Sequence, residues 1–426
     1  MLEVPPAWDE MRRNNADVRN RPDLYTCGAG SNVRDGPVPA NPILVHDYED
    51  NYARVDGRWL FASRRTVRLF VGEGFKPMLQ LGGDNLSRER LCMALPTTNP
   101  YPPFNITRAS HVVLTVRDLK ASRTFYEQVL GFVVTAAGDG VLNLRGVEER
   151  GHHSITLRQS TDKPVCLRIG LRVAGDNDIA RAADHFASVG LSPRRVDVPH
   201  QGATLHFADP AAVPYELCAT METVPSMRQE FHSHRSASPQ RLDHFQVAVP
   251  DVALSTAFLA DLGFRLTEYT APDGKDELWG AWLQRKGNPQ DIVYANGPGP
   301  RLHHFAYPVP ETRDIIHVCD VASSLGYSGN VERGPGRHGI GNALFVYLRD
   351  PDGHRVEFFI GHYQAIDVEE APIRWDLTNT RRSQLWGLPA RASWFSEATE
   401  FRNVAVRPAT LQAPPVTLES FLASQI

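Results

Sequence analysis

Two histidines and a glutamate in this sequence occupy positions where they could bind a metal ion. His244 opens one strand-like run, His304 lies near the start of another, and Glu357 sits in a third between two apolar residues. Because alternate side chains of a strand share a face, Glu357 can point inward, where a buried carboxylate needs a partner. Two imidazoles and one carboxylate on one side of a metal leave open positions, as in non-haem Fe(II) oxygenases. These residues predict a metal centre that can bind further ligands.

An internal repeat must position these residues. Residues 111–132 resemble residues 244–264: each segment begins with His, runs as a strand into an Asp, and continues as a helix ending in Leu-Gly-Phe. Residues 166–191 and 302–326 share the pattern less closely. The repeat therefore predicts four strand–helix–strands units, which must pair because one unit alone leaves a sheet face uncovered. The units are expected at 111–160, 165–220, 242–295 and 302–360.

The repeat also helps to distinguish metal binding from a purely structural role for these histidines and the glutamate. A single strand histidine is most often a half-buried side chain, whereas two histidines and a glutamate at matching ends of a repeat favour metal binding. The first pair of units has His111, Arg168 and Glu216 at the corresponding positions. A guanidinium is always charged, so Arg168 would pair with Glu216 and exclude a cation. We expect the metal in the second pair.

Composition argues against several other classes of protein. The 45 basic and 49 acidic residues give a net charge of −4 without a long basic block, which disfavours nucleic-acid binding. The longest apolar runs are far shorter than a membrane span, and the first residues lack the apolar core of a secretory signal. The five cysteines are scattered, with no CxxC motif. These features predict a cytoplasmic protein that binds neither nucleic acid nor membranes.

The expected fold is α+β, with four βαβββ modules in two pairs, an extra N-terminal α+β segment and a C-terminal lid. The predicted regions are an N-terminal extension, a module pair without metal, a catalytic module pair and a lid, at 1–100, 101–225, 240–365 and 366–426. Within the extension, two strand-like runs flank a Val-Asp-Gly turn at 55–57 and faintly resemble part of an NTF2/SnoaL-like domain. Residues 94–105 and 221–241 are predicted linkers.

Four motifs resemble a known family. They are RLDHF at 241–245, PRLHHFAYPV at 300–309, RGPGRHGIGNALFVYLRDPDGHRVEFF at 333–359 and WGLPARASWFSEAT at 386–399. Together they resemble the type I extradiol catechol dioxygenases of the vicinal oxygen chelate superfamily, in the homoprotocatechuate 2,3-dioxygenase branch. The resemblance covers about 70% of the chain and leaves out residues 1–100. It implies paired vicinal oxygen chelate modules and the ring-cleaving chemistry of that family.

The resemblance also implies roles for individual residues. The family's iron ligands fall on the same two histidines and glutamate that the repeat selects, with Fe(II) as the expected metal and Mn(II) possible because the ligand set is the same. A histidine near the substrate falls on His338, and an active-site tyrosine falls on Tyr347. Among substrate-binding positions, Arg333 matches an arginine that faces the acidic side chain of the substrate. Arg382 matches a supporting tail arginine, and Trp282 matches an aromatic residue that lines the pocket.

Three positions depart from the family pattern. Gln290 replaces an acid–base histidine, Gln246 replaces an asparagine after the first ligand, and Ser383 replaces a second tail arginine. Glutamine forms hydrogen bonds but has no proton to transfer near neutral pH. Positioned acid–base catalysis is worth about 10²–10⁴-fold, so ring cleavage could be slow or restricted to readily ionised catechols. The alternatives are a related metalloenzyme with non-oxygenase chemistry and a catechol-binding protein without turnover.

The resemblance predicts an Fe(II)-dependent extradiol dioxygenase. It would cleave a 3,4-dihydroxyphenylacetate-like catechol with O2 to a hydroxymuconic semialdehyde, with Gln290 holding the oxygen species by hydrogen bonds. Its partners would be a small aromatic diol and O2. Because the family forms homo-oligomers, we also expect a homo-oligomer, a tetramer.

Overall fold

The computed structural model describes residues 95–412 and 415–424, together with the backbone of residues 44–55 and 58–71. The chain divides into two compact units, Met1–Ser87 and Arg88–Ile426. The first unit contains an antiparallel hairpin of β1 (Leu44–Val55) and β2 (Arg58–Val71). The two strands predicted in the extension are therefore present. Residues 56–57 of the predicted turn lie outside the described part of the chain.

The first module pair in the second unit forms one eight-stranded sheet. Its strands are β3 (Ile106–Val116), β4 (Val133–Gly138), β5 (Val141–Arg145), β6 (Ile155–Gln159), β7 (Cys166–Val173), β8 (Arg194–Val196), β9 (Thr204–Ala208) and β10 (Pro214–Cys218). Helices α1 (Leu119–Arg123, continued by a π-helical turn over Thr124–Val129) and α2 (Asp176–Ser188) follow the first strand of each module. The strand order is β4-β5-β6-β3-β7-β10-β9-β8, so β3 and β7 join the modules.

The second pair repeats this arrangement. Its strands are β11 (His244–Val249), β12 (Arg265–Ala271), β13 (Gly280–Gln284), β14 (Ile292–Asn296), β15 (Arg301–Pro308), β16 (Val331–Arg337), β17 (Leu344–Arg349) and β18 (Arg355–Ile360). Helices α3 (Val252–Asp261) and α4 (Thr312–Ser324) occupy the places of α1 and α2. Strands β11 and β15 join the modules. The predicted α+β fold of four βαβββ modules in two pairs is confirmed.

The C-terminal tail extends the second sheet. Strand β19 (Ile373–Asp376) pairs in parallel with β12, and β20 (Thr399–Glu400) pairs with β15. Two short helices, α5 (Ala392–Ser396) and α6 (Leu418–Ala423), complete the tail. The tail is therefore held at two strands of the catalytic pair, close to the predicted site.

The repeated sequence signals act as helix caps. Asp118 accepts hydrogen bonds from two amides at the start of α1, and Asp251 accepts one from Leu254 N at the start of α3. At the Leu-Gly-Phe ends, Gly131 and Gly263 have φ of +89° and +85°, a conformation that favours glycine. The repeat is visible in the sequence because both ends of the first helix in each pair need these residue types.

The alternation of side chains along the strands separates the core from the site. On β11, Phe245, Val247 and Val249 are buried in the hydrophobic core, which places His244 and Gln246 on the opposite face. Residues 95–105, part of a predicted linker, run beside α3, where Asn99 N donates to Ala260 O at 2.9 Å. Within the described residues, no helix has the length and apolar character needed to cross a bilayer.

Candidate metal centre

Strand register brings the three predicted ligands together. On β15, Ala306 pairs with His244 of β11 on one side and with Glu357 of β18 on the other. His304 lies two residues before Ala306 and therefore faces the same side of the sheet. The Nε2 atoms of His244 and His304 are each 3.1 Å from Glu357 Oε2, and all three side chains are buried. Three strands distant in sequence thus direct three donor atoms at one point.

This donor set fits a divalent cation. One ligand atom from each residue lies within 4.8 Å of the others. The second nitrogen of each imidazole is also held, since His244 Nδ1 is 2.9 Å from Asp243 Oδ2 and His304 Nδ1 is 2.8 Å from His303 Nδ1. Although burial favours the neutral acid, the His244 and His304 imidazoles beside the carboxylate hold the pKa of Glu357 well below its usual value. A buried carboxylate and two imidazoles therefore form a site suited to a cation.

The corresponding place in the first module pair has different partners. Glu216 and His111 flank Gly170 on β7 just as Glu357 and His244 flank Ala306. Arg168 Nε lies 3.1 Å from Glu216 Oε2, where the second pair has a histidine. His111 Nε2 lies 2.7 Å from Oε1 of the same carboxylate, and Gln201 and His206 also contact it. This carboxylate is fully engaged by side chains. The lack of metal in the first pair stays a prediction.

His338 and Tyr347 lie side by side next to the ligands. The Tyr347 hydroxyl donates to Glu357 Oε1 at 2.7 Å and lies 3.0 Å from His338 Nε2. His338 Nδ1 is 2.6 Å from the Ser383 carbonyl, which can only accept, so Nδ1 carries the proton. Burial and the Arg333 cation lower the pKa of His338 to about 3. The neutral ring therefore presents an unprotonated Nε2 next to the metal centre.

Arg333 is a buried cation on the same side of the sheet. Its Nη2 donates to Ser383 O at 3.0 Å and Gln384 Oε1 at 2.8 Å, and both acceptors are uncharged. Its Nε is buried without a hydrogen-bond partner. The guanidinium carbon is 4.6 Å from the centroid of the Trp394 ring. Within the described residues, Arg333 therefore forms no ion pair and retains hydrogen-bonding capacity.

Two glutamines occupy two of the three positions that depart from the family pattern. Gln290 Nε2 is 3.0 Å from His244 Nε2, and its buried Oε1 has no hydrogen-bond partner. Gln246 is half-buried and pairs with His304 in the strand register, so its side chain shares the face of the metal ligands. Both amides are thus next to the predicted centre.

Trp282 and Arg382 are the remaining predicted substrate-binding residues. Trp282 is half-buried on β13 and pairs with Val293 and Glu268 in the sheet. Arg382 donates from Nε to the Leu377 carbonyl at 3.3 Å. The hydrogen bonds that hold Arg333 come instead from Ser383 and Gln384, which immediately follow Arg382. The roles predicted for Trp282 and Arg382 remain predictions.

His362 also lies near the ligands, although no motif in the sequence pointed to it. Its side chain is 6% exposed, its ring centroid is 5.8 Å from that of His244, and its buried Nδ1 has no hydrogen-bond partner, 3.9 Å from Asp243 Oδ2. It follows the last strand of the repeat, where the internal comparison provides no counterpart. No signal in the sequence pattern therefore identified it.

A second cluster of potential metal ligands lies in the first module pair. It consists of His152, His200 and Glu222, of which only His152 is buried. The two imidazole rings stack with centroids 3.7 Å apart and an interplanar angle of 4°. The nitrogen lone pairs lie in the ring planes, and two parallel planes do not meet, so the lone pairs do not converge on one ion. This cluster does not have the geometry of the buried site.

Comparisons with known proteins identify the family of this chain. The model of the Glyoxalase/Bleomycin resistance protein/Dioxygenase superfamily matches residues 108–217 and 241–358, one match on each module pair. The chain therefore belongs to that superfamily. The solved homoprotocatechuate 2,3-dioxygenase of Arthrobacter globiformis is 33% identical, with a TM-score of 0.70 over 74% of this chain and 99% of that chain.

Other relatives indicate the class of enzyme within the superfamily. A solved extradiol ring-cleaving dioxygenase of B. fuscum is 33% identical, with a TM-score of 0.71 over 75% of this chain and 91% of that chain. A manganese-dependent 2,3-dihydroxybiphenyl 1,2-dioxygenase of Geobacillus genomosp. 3 is 27% identical, covering 66% of this chain and 93% of the relative. A metapyrocatechase of Geobacillus stearothermophilus is 25% identical, and the match covers 70% of this chain and 95% of the relative. Within the superfamily, the chain belongs to the extradiol ring-cleaving dioxygenases.

Proposed function

We propose that this protein cleaves the ring of a catechol with an acidic substituent, using O2 and a divalent metal held by His244, His304 and Glu357. The observation that carries this proposal is the convergence of these three buried side chains beside the His338–Tyr347 pair. Fe(II) is the proposed metal. Mn(II) fits the same ligands, and one of the relatives is named for its manganese dependence.

The chain's own residues would handle the protons of the substrate. Bound at this site, the metal would hold the catechol oxygens, lower their pKa and allow electron transfer from the ring to O2. The unprotonated His338 Nε2 would accept a hydrogen bond from a catechol hydroxyl and so orient it. Burial and the Glu357 charge raise the pKa of Tyr347 well above its usual value, so its hydroxyl stays protonated and can donate. These two residues supply one acceptor and one donor side by side.

Arg333 supports an acidic substituent on the ring. A buried guanidinium without an anionic partner is unfavourable, and a carboxylate would supply the missing charge and accept from its free Nε. We assign Gln246 and Trp282 to the walls of the substrate pocket, and Arg382 to supporting the tail segment that contacts Arg333.

The contact between Arg333 and a substrate carboxylate predicts a preference for acidic catechols. Replacing 3,4-dihydroxyphenylacetate by 4-methylcatechol, which lacks the carboxylate, should raise KM more than it lowers kcat.

Gln290 favours a second candidate function. With an amide in place of an acid–base histidine, the same site could bind a catechol without oxygenation, or carry out metal-dependent chemistry that does not consume O2. In the dioxygenase, Gln290 would hold the oxygen species by hydrogen bonds while His338, Tyr347 or water handles the proton.

The deciding experiment is anaerobic loading with Fe(II), followed by 3,4-dihydroxyphenylacetate and then air. We expect one O2 consumed per ring together with the yellow absorbance of a hydroxymuconic semialdehyde. The same assay with Mn(II) compares the two metals. Substrate binding without O2 uptake would favour the second candidate function, and absence of both would contradict the proposed catechol site.

We also propose a homotetramer and a cytoplasmic location. The tail exposes several large apolar side chains that a second copy could cover, namely Ile366, Val368, Trp386 and Leu388. Light scattering after gel filtration should give about four times the chain mass of 47.4 kDa. Fractionation of expressing cells should recover the protein with cytoplasmic markers.

A further inference from the structure

A chain of polar contacts connects the C-terminal tail to a metal ligand. The Trp394 carbonyl, in helix α5 of the tail, lies 3.1 Å from His303 Nε2. His303 Nδ1 in turn lies 2.8 Å from His304 Nδ1, and His304 Nε2 faces Glu357. The tail is therefore two hydrogen bonds away from a nitrogen that binds the metal.

The direction of these hydrogen bonds follows from the chemistry of the groups. A carbonyl can only accept, so His303 Nε2 must carry a proton. His303 is buried beside the Arg355 guanidinium, where a second positive charge is unfavourable, so the ring has one proton and its Nδ1 is an acceptor. His304 Nδ1 must then donate, and its Nε2 keeps a free lone pair directed at the metal site. The hydrogen bond of one histidine selects the tautomer of the next.

Packing holds both ends of this chain of polar contacts in place. The Trp394 and His303 rings are in edge contact with centroids 4.5 Å apart, and the Arg355 guanidinium lies 4.5 Å from the Trp394 ring centroid. Arg355 Nη1 also donates to the His303 carbonyl at 2.9 Å. The ring of Trp394 further contacts Tyr347 at 4.5 Å. The position of α5 is thereby coupled to that of His303.

We propose that His303 is a positioning residue that couples docking of the tail to metal binding, by holding His304 in the tautomer with a free Nε2. Displacement of α5 removes the acceptor for His303, allows the His303 ring to change tautomer, and weakens the metal site. This inference rests on the proposed metal site and adds to it a role for the tail beyond covering the pocket.

Mn(II) affinity, measured by EPR titration of the full-length metal-free protein, tests the coupling. His303→Phe removes the acceptor for His304 Nδ1 and should weaken Mn(II) binding about 10–100-fold, the usual effect of losing a partner of a metal ligand. His303→Asn places an amide oxygen near the original Nδ1 and should restore most of the affinity. His153→Phe is the matched control, because His153 is a buried histidine with a similar Nδ1 contact to His152 in the other module pair.

A double-mutant cycle tests the connection to the tail. Trp394→Ala should weaken Mn(II) binding in the wild-type background but have little further effect in His303→Phe, because the same connection is already broken. Nitrogen-15 spectra of histidine-labelled, metal-free protein should show His304 protonated at Nδ1, with this preference lost in His303→Phe. A general loss of packing would not change the tautomer in this selective way.

Several results would overturn the coupling. These are wild-type affinity in His303→Phe, equal weakening in His153→Phe, failure of His303→Asn to restore binding, or additive effects of the two changes in the cycle. A wild-type protein that does not bind one Mn(II) per chain would instead contradict the proposed metal centre. Different measurements would therefore contradict the coupling to the tail and the proposed metal centre.

Discussion

At the scale of single residues, charge distinguishes the two pseudo-equivalent sites. Glu357 faces two imidazoles, whereas Glu216 faces a guanidinium as well as two imidazoles and an amide. We expect Glu357→Gln to abolish tight metal binding, because a neutral amide replaces the anionic donor, with a loss greater than the roughly 10–100-fold caused by removing an outer partner. Metal content after dialysis measures this effect.

The matched control is Glu216→Gln, which makes the same change at the same register in the other pair. It should leave metal content unchanged even if it lowers the melting temperature. Loss of metal in this control, or full retention in Glu357→Gln, would place the metal elsewhere.

Gln290 is the residue at which proton transfer can be tested. Gln290→His should raise kcat for 3,4-dihydroxyphenylacetate, because an imidazole next to His244 can move a proton where an amide cannot, within the range of about 10²–10⁴-fold for acid–base catalysis. Gln290→Leu should lower kcat by removing the hydrogen-bonding groups. Steady-state O2 uptake measures both variants. If the histidine variant has no gain, proton transfer already occurs at His338, Tyr347 or water.

At the scale of elements, the register of β7 and β15 sets which side chain meets the carboxylate. Arg168→His places an imidazole at the position equivalent to His304, beside His111 and Glu216. We expect this variant to bind a second metal ion, because the competing guanidinium charge is removed while two other donors remain. Metal analysis at saturating Mn(II) should rise from one to two ions per chain. An unchanged value of one would show that His206 and Gln201 alone keep the cation out.

Glu268 connects three elements around the loop that follows His338. Its carboxylate accepts from Gly341 N at 2.7 Å, from the Tyr363 hydroxyl at 2.8 Å and from Trp375 Nε1 at 2.6 Å. Glu268→Gln presents an NH2 group to at least one of these donors, which should cost about 1–3 kcal/mol of folding free energy and raise KM by loosening the loop. Chemical denaturation and steady-state kinetics measure the two effects. The exposed Glu369→Gln should change neither, and an unaffected Glu268→Gln would contradict the role of this contact.

At the scale of the whole catalytic unit, the two module pairs meet through buried polar groups as well as apolar ones. Asp209 of the first pair accepts from the Tyr294 hydroxyl of the second at 3.3 Å, and Tyr294 contacts Tyr215 at 2.7 Å. Burial raises the pKa of Asp209 to about 7. The folded state therefore keeps a proton that the unfolded state has lost above about pH 4.

This difference predicts the pH dependence of stability. Because the folded protein binds more protons between about pH 4 and pH 7, the contribution of Asp209 to stability falls as pH rises through that window, by up to about 4 kcal/mol. Asp209→Asn cannot ionise, so its free energy of unfolding should decline less over the same range. Denaturant titrations at several pH values measure this, with the exposed Asp184→Asn as control. Parallel curves for Asp209→Asn and wild type would contradict the assignment.

Much of the fold and the set of candidate ligands could be predicted from the sequence, because both depend on local patterns. The Asp and Gly caps of α1 and α3 and the period-two alternation of β11 are short-range requirements that recur in each pair. Placing His244, His304 and Glu357 at equivalent strand positions then followed from the repeat. The family motifs added His338, Tyr347 and Arg333, which the structure brings to the same side of the sheet.

Only the tertiary structure decided which groups hold these residues. Ser383 and Gln384 contact Arg333 from the tail, Trp394 reaches His303 across 91 residues, and His362 lies beside His244. These contacts join segments that share no periodic pattern, so no local signal in the sequence specifies them. Hydrogen-bond direction and charge pairing depend on distances of a few ångströms, and those distances exist only once the sheet has closed and the tail has packed against it.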